Sequence, residues 1–271
     1  LIPPGTNVNE TMAINKNIVF LCAVTLPAAF LLAATFHDIN LLSNGVSKLY
    51  MGASAAVSAP DPSKPRYIFV DLGANRADSL EAFLQHENTK FSYDFPSPSW
   101  ATHEDADIYL FEANPHFNSD LIKAKERYTA EGKTIQIFPA TVADVIDGTR
   151  TFYLDTVNEA HDYWGSSTYA NHGDVISSKS NGTELTAVNI ARWLLMNTLP
   201  RDFVVVKMDI EGAEYDLVPH FAEMKAWTVI DHLLIEWHTS LPQESAIKAA
   251  GEASERLKAE GVNMPDYNSG A

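Results

Sequence analysis

A run of β-branched residues that ends abruptly in charge constrains this chain more than any other feature. Three valines at 204–206 are followed within eight residues by four charged side chains: Lys207, Asp209, Glu211 and Glu214. Such a run is typical of a strand buried in a parallel sheet, and open α/β sheets bind their ligands at the carboxyl ends of strands. Strand alternation places Lys207 and Asp209 on one side, and Glu214 falls in the first turn of the next helix, where a carboxylate favours the helix dipole. The sequence therefore predicts that any chemistry lies at the end of this strand.

Strand-like and helix-like segments alternate along most of the chain. The predicted strands are 67–72, 108–111, 135–138, 151–154, 203–208 and 229–237. The predicted helices are 79–86, 120–131, 187–196, 214–221 and 243–260. This order favours an α/β fold with a doubly wound, mainly parallel sheet and helices on both of its faces. Two long segments without clear periodicity, 87–107 and 161–181, are predicted to be loops, and the first is typical of a substrate loop or lid.

The first 65 residues differ from the rest in composition. Residues 18–36 carry no charge over 19 positions, which nearly spans a hydrocarbon core of roughly 30 Å, and we predict a single transmembrane helix there. A signal-peptide core cleaved downstream and a buried helix of a globular domain are the competing interpretations. Residues 1–17 are predicted to be a polar tail. Residues 37–65, rich in Ser, Ala, Gly and Pro, are predicted to be a stem that leads to a domain at 66–271.

The charge of the chain excludes one class of partner. The net charge is −16, and residues 1–65 hold only three of the 19 basic and three of the 35 acidic side chains, so the whole acidic excess belongs to the domain. An acidic surface repels phosphate backbones, and we therefore expect no nucleic-acid substrate. The only cysteine, Cys22, lies in the apolar N-terminal segment, so the domain can form no internal disulfide. This cysteine usage fits either a reducing compartment or a secretory lumen.

A glycine turn at residues 71–75 follows the first predicted strand of the domain. Gly73 would let the backbone approach a ligand without a Cβ clash, and exposed N–H groups at this turn would hold a carboxylate or phosphate. Glu112 follows the next predicted strand, where an acidic side chain can accept two hydrogen bonds from the hydroxyls of a ribose. An ordinary turn capped by Asp71, and a solvated carboxylate at Glu112, are the alternatives.

Charged groups from two neighbouring strand ends are expected to meet. Asp209 is the candidate that would orient or deprotonate an acceptor hydroxyl, Lys207 would pair with it, and Glu211 lies at the turn. His238 follows the next predicted strand, and its unperturbed pKa of about 6.5 suits a general base near neutrality. The same Asp, Glu and His would equally hold a divalent metal, which is an open alternative, although none is predicted. A second alternative is that these residues form a structural ion-pair network in which His238 is only a polar strand cap.

Two of these motifs resemble those of the FkbM-type methyltransferases, which transfer a methyl group from S-adenosylmethionine. Residues 207–214, Lys-Met-Asp-Ile-Glu-Gly-Ala-Glu, resemble the family signature Lys-x-Asp-x-Glu-Gly-x-Glu at every position, and residues 71–75 resemble its cofactor motif. Residues 165–168 resemble a Gly-Ser-Ser stretch of the family that would add hydroxyl groups to the pocket. The resemblance covers residues 67–238 and implies a Rossmann-like class I fold.

The resemblance also implies roles for individual residues. Asp71 would lie near the aminoacyl end of S-adenosylmethionine, with Gly73 and Asn75 shaping the pocket. Glu112 would bind the ribose, and Asp144 completes the expected cofactor-binding set. The expected catalytic residues are Asp209, Glu211, His238 and Lys207.

Two features depart from the family pattern. The cofactor motif usually continues with a second glycine where this chain has Ala77, and only residues 261–271 follow the last predicted helix. These are too few for the pair of strands that usually closes the sheet, so the chain is expected to be either truncated or built on a smaller sheet. The departures motivate an alternative function, a catalytically degenerate fold that serves as a structural subunit of a membrane complex.

The favoured interpretation is a membrane-anchored O-methyltransferase that uses S-adenosylmethionine and acts on a hydroxyl of a carbohydrate or small-molecule acceptor. The anchor and stem, with glycosylation sequons at Asn9 and Asn181, favour the Golgi or ER lumen, and an organellar inner membrane is the alternative. The positive-inside rule leaves the orientation open, because Lys16 on one side of the apolar segment is balanced by Lys48 on the other.

Overall fold

The computed structural model describes residues 63–269, which form eight strands and six α-helices. The strands are β1 (Tyr67–Leu72), β2 (Asp107–Glu112), β3 (Thr134–Pro139), β4 (Thr141–Asp144), β5 (Gly148–Phe152), β6 (Thr183–Asn189), β7 (Phe203–Met208) and β8 (His232–Ile235). The helices are α1 (Asp78–Phe83), α2 (Asn118–Ala130), α3 (Gly173–Ser177), α4 (Ile190–Asn197), α5 (Glu214–Glu223) and α6 (Glu244–Ala259). Short 3-10 turns lie at His103–Asp105, Pro115–Phe117, Glu159–His161 and Ala226–Thr228.

Five strands form a parallel sheet in the order β3-β2-β1-β7-β8. The order reverses between β1 and β7, where Asp71 lies opposite Lys207 in register. Every residue of β1 is buried, as expected for a central strand with helices on both sides. The strands predicted at 67–72 and 203–208 are confirmed at both ends.

Helices cover both faces of this sheet. Successive side chains of a strand point to opposite faces, and Val70 and Val206 accordingly belong to one hydrophobic core with residues of α4, α5 and α6. Phe69 and Val205 belong to a second core with residues of α1 and α2. The ring of Phe69 stacks on that of Phe83 of α1 at a centroid distance of 4.0 Å. The predicted α/β fold with helices on both faces of a mainly parallel sheet is confirmed.

A smaller sheet of three strands, in the order β4-β6-β5, was only partly predicted. The prediction of a helix over 187–196 is wrong at its start, because β6 continues to Asn189 and α4 begins at Ile190. The Asn189 side chain caps α4 by accepting a hydrogen bond from the Arg192 N–H at 3.0 Å. The strand predicted at 151–154 instead spans 148–152, and that predicted at 229–237 is shortened to 232–235. The four-residue strand β4 was not predicted.

The two predicted long loops contain little regular structure. Residues 87–106 hold one 3-10 turn, and Phe95 from this segment is buried, with its ring 5.6 Å from that of Phe83 in an edge-on contact. Residues 161–181 include the short helix α3. The first loop is therefore fixed to the core, with Phe95 as one of its anchors.

The segment after α6 lies along the outer edge of the five-stranded sheet. Asn263 forms a parallel bridge with His232, and Asp266 forms one with Ile235. These are single residue pairs, so the sheet of the described residues has five strands, as in the smaller-sheet alternative.

The predicted transmembrane helix at 18–36 lies outside the described residues, as does nearly all of the predicted stem. Within residues 63–269, the helices are too short or too polar to cross a membrane.

Candidate active site

A cleft opens at the carboxyl ends of β1, β2 and β7, where the strand order reverses, the position in which open α/β sheets bind ligands. It encloses about 1020 Å³ of empty space, counting the solvent at its mouth. The walls come from the turns after β1, β2, β7 and β8, from β4, and from the two long loops. The predicted site residues that line it are Gly73, Asn75, Glu112, Lys207, Asp209, Glu211 and His238. Most of the predicted site therefore shares one cleft.

The turn after β1 fits against the turn after β7 with no room for a side chain. Gly73 has a φ of +83°, and a Cβ built there would lie 1.8 Å from the carbonyl oxygen of Asp209. The N–H groups of Gly73 and Ala74 both donate to the carbonyl of Phe111 at 3.0 Å, which ties the same turn to β2. Glycine is required here by the approach of a neighbouring backbone as well as by the positive φ. The sequence had predicted a different reason, which is space for a ligand.

The Glu112 carboxylate is held at both oxygens by backbone N–H groups. Asn75 N donates to Oε2 at 2.7 Å, and Asn114 N donates to Oε1 at 2.6 Å. Burial raises the pKa of Glu112 to about 7, although the two amide donors and Lys207 oppose it. Glu112 thus joins the turns after β1 and β2 in the cleft wall. Each oxygen keeps a lone pair that a ligand hydroxyl can use.

Lys207 lies at the centre of a buried ion-pair network. Its Nζ is 3.2 Å from Asp71 Oδ1 and 3.5 Å from Asp209 Oδ2, and it donates to the carbonyl of Gly73 at 2.9 Å. Burial lowers the pKa of Lys207, but the charges of Asp71 and Asp209 outweigh burial and raise it above its ordinary value. The predicted pair of Lys207 with Asp209 is present, and Asp71 is the closer partner.

Asp71 is fully buried and does not line the cleft. Neither of its oxygens accepts a hydrogen bond of normal geometry, although Lys207 lies within ion-pair distance. Burial raises the pKa of Asp71 to about 6, and Lys207 opposes the shift. From this position Asp71 orients Lys207, which does line the cleft.

Asp144 also lies beside the cleft instead of lining it. It is buried, its Oδ1 accepts a hydrogen bond from Val145 N at 2.6 Å, and its Oδ2 is 3.5 Å from Arg150 Nε. The cleft wall is formed by the preceding residues of β4, Thr141, Val142 and Ala143. The cleft wall at this strand is therefore formed by the neighbours of Asp144 and not by Asp144 itself.

The turn between β7 and α5 is folded around the Glu214 carboxylate. Oε1 accepts a hydrogen bond from Ile210 N at 2.9 Å, and Oε2 accepts one from Gly212 N at 2.8 Å. The turn places Glu211 at a φ of +53° and Gly212 at +102°, and the latter conformation favours glycine. Glu214 is fully buried. Besides its predicted place at the helix dipole, it closes the turn that presents Glu211 to the cleft.

His238 is held by Glu214 and lies near two more carboxylates. Its Nδ1 is 2.9 Å from Glu214 Oε1, while Nε2 is 3.7 Å from Asp209 Oδ1 and 3.6 Å from Glu211 Oε2. Burial lowers the pKa of His238, but the hydrogen bond with Glu214 and the three nearby negative charges outweigh burial and raise the pKa to about 9. In this arrangement the His238 ring is protonated on both nitrogens and positively charged near neutrality. It would have to lose one of these protons before acting as the general base that the sequence predicts.

Two contacts that hold Glu211, from His172 and Ser167, were not predicted from the sequence. His172 Nε2 is 3.1 Å from Glu211 Oε2, and His172 Nδ1 accepts a hydrogen bond from Asp174 N at 3.2 Å, so the ring proton belongs on Nε2. Ser167 donates from Oγ to the Glu211 carbonyl at 2.7 Å. The contacts span 39 and 44 residues, a separation at which no local spacing signals a pair. The Gly-Ser-Ser stretch was the only signal, and it pointed to the pocket instead of to Glu211.

The loops contribute further side chains to the cleft. Ser166 and Thr168 line it, as expected from the Gly-Ser-Ser resemblance, together with the aromatic residues Tyr163 and Trp164. The segment predicted to be a substrate loop contributes Lys90 and Phe91. Part of the cleft is thus formed by the two segments with the least regular structure.

The comparisons with known proteins agree with this arrangement of glycine turn and charged strand end. A search of curated proteins finds no match to the chain. Residues 71–259 match the family model of the methyltransferase FkbM domain, and because this match covers more than half of the 271 residues, the chain belongs to the FkbM methyltransferase family.

Proposed function

We propose that this protein is a membrane-anchored, S-adenosylmethionine-dependent O-methyltransferase that acts on a hydroxyl of a carbohydrate or small-molecule acceptor. The observation that carries the proposal is the meeting of two sets of residues in one cleft. Gly73, Asn75 and Glu112 lie at the ends of β1 and β2, and Asp209 and His238 lie at the ends of β7 and β8. A donor on the first side and an acceptor on the second would meet within the cleft.

The first set of residues suits S-adenosylmethionine. The Gly73 turn brings backbone atoms to the cleft surface, and Glu112 keeps lone pairs for ribose hydroxyls. Phe111 and Val142 form an apolar wall that would take an adenine ring. Bound there, S-adenosylmethionine supplies a methyl group on a sulfonium that is already activated for transfer.

The second set suits an acceptor hydroxyl. The Asp209 side chain is 22% exposed, and its Oδ2 lies 3.5 Å from Lys207 Nζ, which leaves Oδ1 for a ligand. Asp209 can therefore accept a hydrogen bond from the hydroxyl and then its proton. Most of the remaining contribution of the protein is alignment of the acceptor oxygen and exclusion of water, for which a cleft lined by Tyr163 and Trp164 is suited.

The cofactor part of the proposal is tested by isothermal titration of the full chain with S-adenosylmethionine. Saturable binding with one site per chain is expected. The absence of binding by a chain that unfolds cooperatively would reject the enzyme and leave the degenerate subunit of a membrane complex as the better hypothesis.

The role of Asp209 is tested by Asp209→Asn with methyl-labelled S-adenosylmethionine and a panel of mono- and oligosaccharides. We expect transfer to fall by about 100-fold or more, with cofactor binding retained, because the proton acceptor is lost. Glu236→Gln is the matched control, since Glu236 lines the same cleft and the substitution removes the same charge. Full activity of Asp209→Asn would remove the proposed role.

Ala77 gives little support to the degenerate alternative. It adopts a φ of +73° and a ψ of 27° before α1, a conformation that glycine takes without steric cost. Its methyl group is buried in the core that contains α1 and α2, and it does not line the cleft. The replacement of the second glycine by Ala77 therefore affects the backbone conformation of this turn. The Ala77 methyl group does not occupy the space proposed for the cofactor.

The membrane part of the proposal rests on the uncharged residues 18–36. We expect the full chain to stay in the membrane pellet after alkaline carbonate extraction, because a spanning helix is not released by charge disruption. Protease protection of the domain in sealed microsomes would support the Golgi or ER lumen. Release of the full chain by carbonate would contradict the anchor.

A further inference from the structure

Three side chains from two strand ends converge at one point of the cleft. Asp209, Glu211 and His238 each offer one ligand atom, and these atoms all lie within 4.8 Å of one another. His238 Nε2 is 3.7 Å from Asp209 Oδ1 and 3.6 Å from Glu211 Oε2. Divalent ions with bonds of about 2.0 to 2.2 Å hold neighbouring ligand atoms roughly 3 to 3.5 Å apart. The two distances from His238 need only a small contraction to meet that geometry, and the two carboxylate ligand atoms lie within 4.8 Å of each other.

The second ring nitrogen of His238 is already engaged. Its Nδ1 is 2.9 Å from Glu214 Oε1, and Glu214 is itself fixed by the N–H groups of Ile210 and Gly212. Histidines that bind metals characteristically donate their other N–H to a carboxylate, which fixes the ring orientation. In the neutral ring with its proton on Nδ1, the Nε2 lone pair faces the two carboxylates.

The two carboxylates are also oriented by partners outside the group. Lys207 contacts Oδ2 of Asp209 at 3.5 Å and leaves Oδ1, the oxygen nearer to His238. His172, the N-cap residue of α3, lies 3.1 Å from Glu211 Oε2, the same oxygen that faces His238. Each of the three side chains therefore has an outer partner, the arrangement that surrounds metal ligands in proteins.

The geometry points to a binding site for one divalent cation of the Mn²⁺ or Mg²⁺ class, formed by Asp209, Glu211 and His238. Two carboxylates suit hard cations, and the imidazole favours Mn²⁺ over Mg²⁺. The three side chains are 22%, 19% and 20% exposed and line the cleft, so a six-coordinate cation would keep positions for water or for acceptor oxygens. The alignment of an acceptor hydroxyl by this cation rests on the proposed function, whereas the site itself does not.

Titration of the chelator-treated full chain with Mn²⁺, followed by electron paramagnetic resonance, tests the site without S-adenosylmethionine or acceptor. Saturable binding of one Mn²⁺ is expected, with nitrogen modulation from the imidazole in the spin-echo spectrum. Asp209→Asn and His238→Gln should each weaken binding by about tenfold or more, because each removes a ligand. His238→Gln should also abolish the nitrogen modulation.

Glu236→Gln is the matched control, because Glu236 lines the same cleft two residues before His238. It should change the Mn²⁺ affinity by less than about threefold, the effect of a nearby charge that does not contact the ion. Equal losses in Glu236→Gln and Asp209→Asn would mean that Mn²⁺ senses only the general negative charge, and would overturn the site. So would the absence of saturable binding by the wild-type chain, which would leave an ion-pair network.

Circular dichroism verifies that each variant is folded. If Asp209→Asn fails to fold, the affinity and the nitrogen signal of His238→Gln decide the matter. Mn²⁺ binding by a chain that does not bind S-adenosylmethionine would keep the site and reject the proposed methyl transfer. Cofactor binding without Mn²⁺ binding would reject the metal site and leave the proposed methyl transfer in place.

Discussion

Among the described glycines, Gly73 leaves the least room for a side chain. Gly73 and Gly132 share a left-handed backbone, with φ of +83° and +89°, but a Cβ at Gly73 would lie 1.8 Å from a carbonyl oxygen, whereas nothing lies within 4 Å of one at Gly132. Gly132→Ala should lower the free energy of unfolding by about 1 kcal/mol through left-handed strain alone, and Gly73→Ala should lower it by about 3 kcal/mol or more. Urea unfolding measures both. Equal losses of unfolding free energy in the two variants would mean that the turn after β7 moves aside for the added methyl group at little cost.

Glu112 makes the stability of the fold depend on pH. Burial raises the pKa of Glu112 from 4.5 to about 7, so between these values the folded protein holds a proton that the unfolded chain has released. Folding takes up this proton, and the contribution of Glu112 to stability therefore falls as the pH rises through this window and is fully lost above it.

Glu112→Gln removes this titration, and comparison with the wild type isolates it. The free energy of unfolding of the wild type minus that of the variant should fall by roughly 3 kcal/mol between about pH 4.5 and pH 7.5. Urea unfolding at several pH values measures the difference, in which the other titrating groups largely cancel. Parallel profiles for the two proteins would show that the carboxyl group titrates alike in the folded and unfolded states.

Among the elements, the loop between β5 and α3 supports the turn after β7. Ser167 is fully buried, donates to the Glu211 carbonyl at 2.7 Å and accepts from Tyr169 N at 3.0 Å. Ser167→Ala leaves both groups without this partner and should lower the free energy of unfolding by about 1 to 3 kcal/mol. Ser177→Ala is the control, because the Ser177 hydroxyl donates to Gly173 O on the exposed surface, and it should cost less than about 0.5 kcal/mol. Urea unfolding that finds equal losses would rule out a support role for Ser167.

The sequence predicted the five-stranded sheet well because its central strands are continuous apolar runs bounded by charge or glycine. It did not predict β6, since Ala187 and Val188 fit the start of a helix as well as the end of a strand, and Asn189 caps the helix that follows. The strand ends that form the cleft were predictable because parallel strands bring their carboxyl ends together.

The finer features of the site depend on contacts that sequence order does not contain. Asp71 was expected at the ligand, but whether a strand-end carboxylate faces the cleft or a buried lysine depends on the register with β7. His238 was assigned its unperturbed pKa, and the three carboxylates that raise the pKa become its neighbours only in the fold. His172 and Ser167 reach Glu211 from a loop whose path no local pattern predicts.

For the whole molecule, glycosylation reports on which side of a membrane the domain lies. Asn181 is an exposed sequon residue of the domain, and Asn9 lies before the predicted span at 18–36. If the domain faces a secretory lumen, the full chain expressed in eukaryotic cells should gain one glycan at Asn181, and Asn181→Gln should remove it. Gel mobility before and after glycosidase treatment measures this. A glycan on Asn9 alone would reverse the orientation, and none at all would favour an organellar membrane.

The pairing of residues 263–266 with β8 also affects how separate molecules meet. Leu233 N donates to the Asn263 carbonyl at 2.9 Å, and Asn263 N donates to the Asp231 carbonyl at 2.8 Å, so the tail occupies backbone groups on the outer edge of the sheet. An unpaired edge strand is a template to which another chain can add. Because the tail covers part of this edge, we expect it to hinder the addition of a strand from another molecule. A change that loosens the tail should therefore appear as concentration-dependent self-association of the protein.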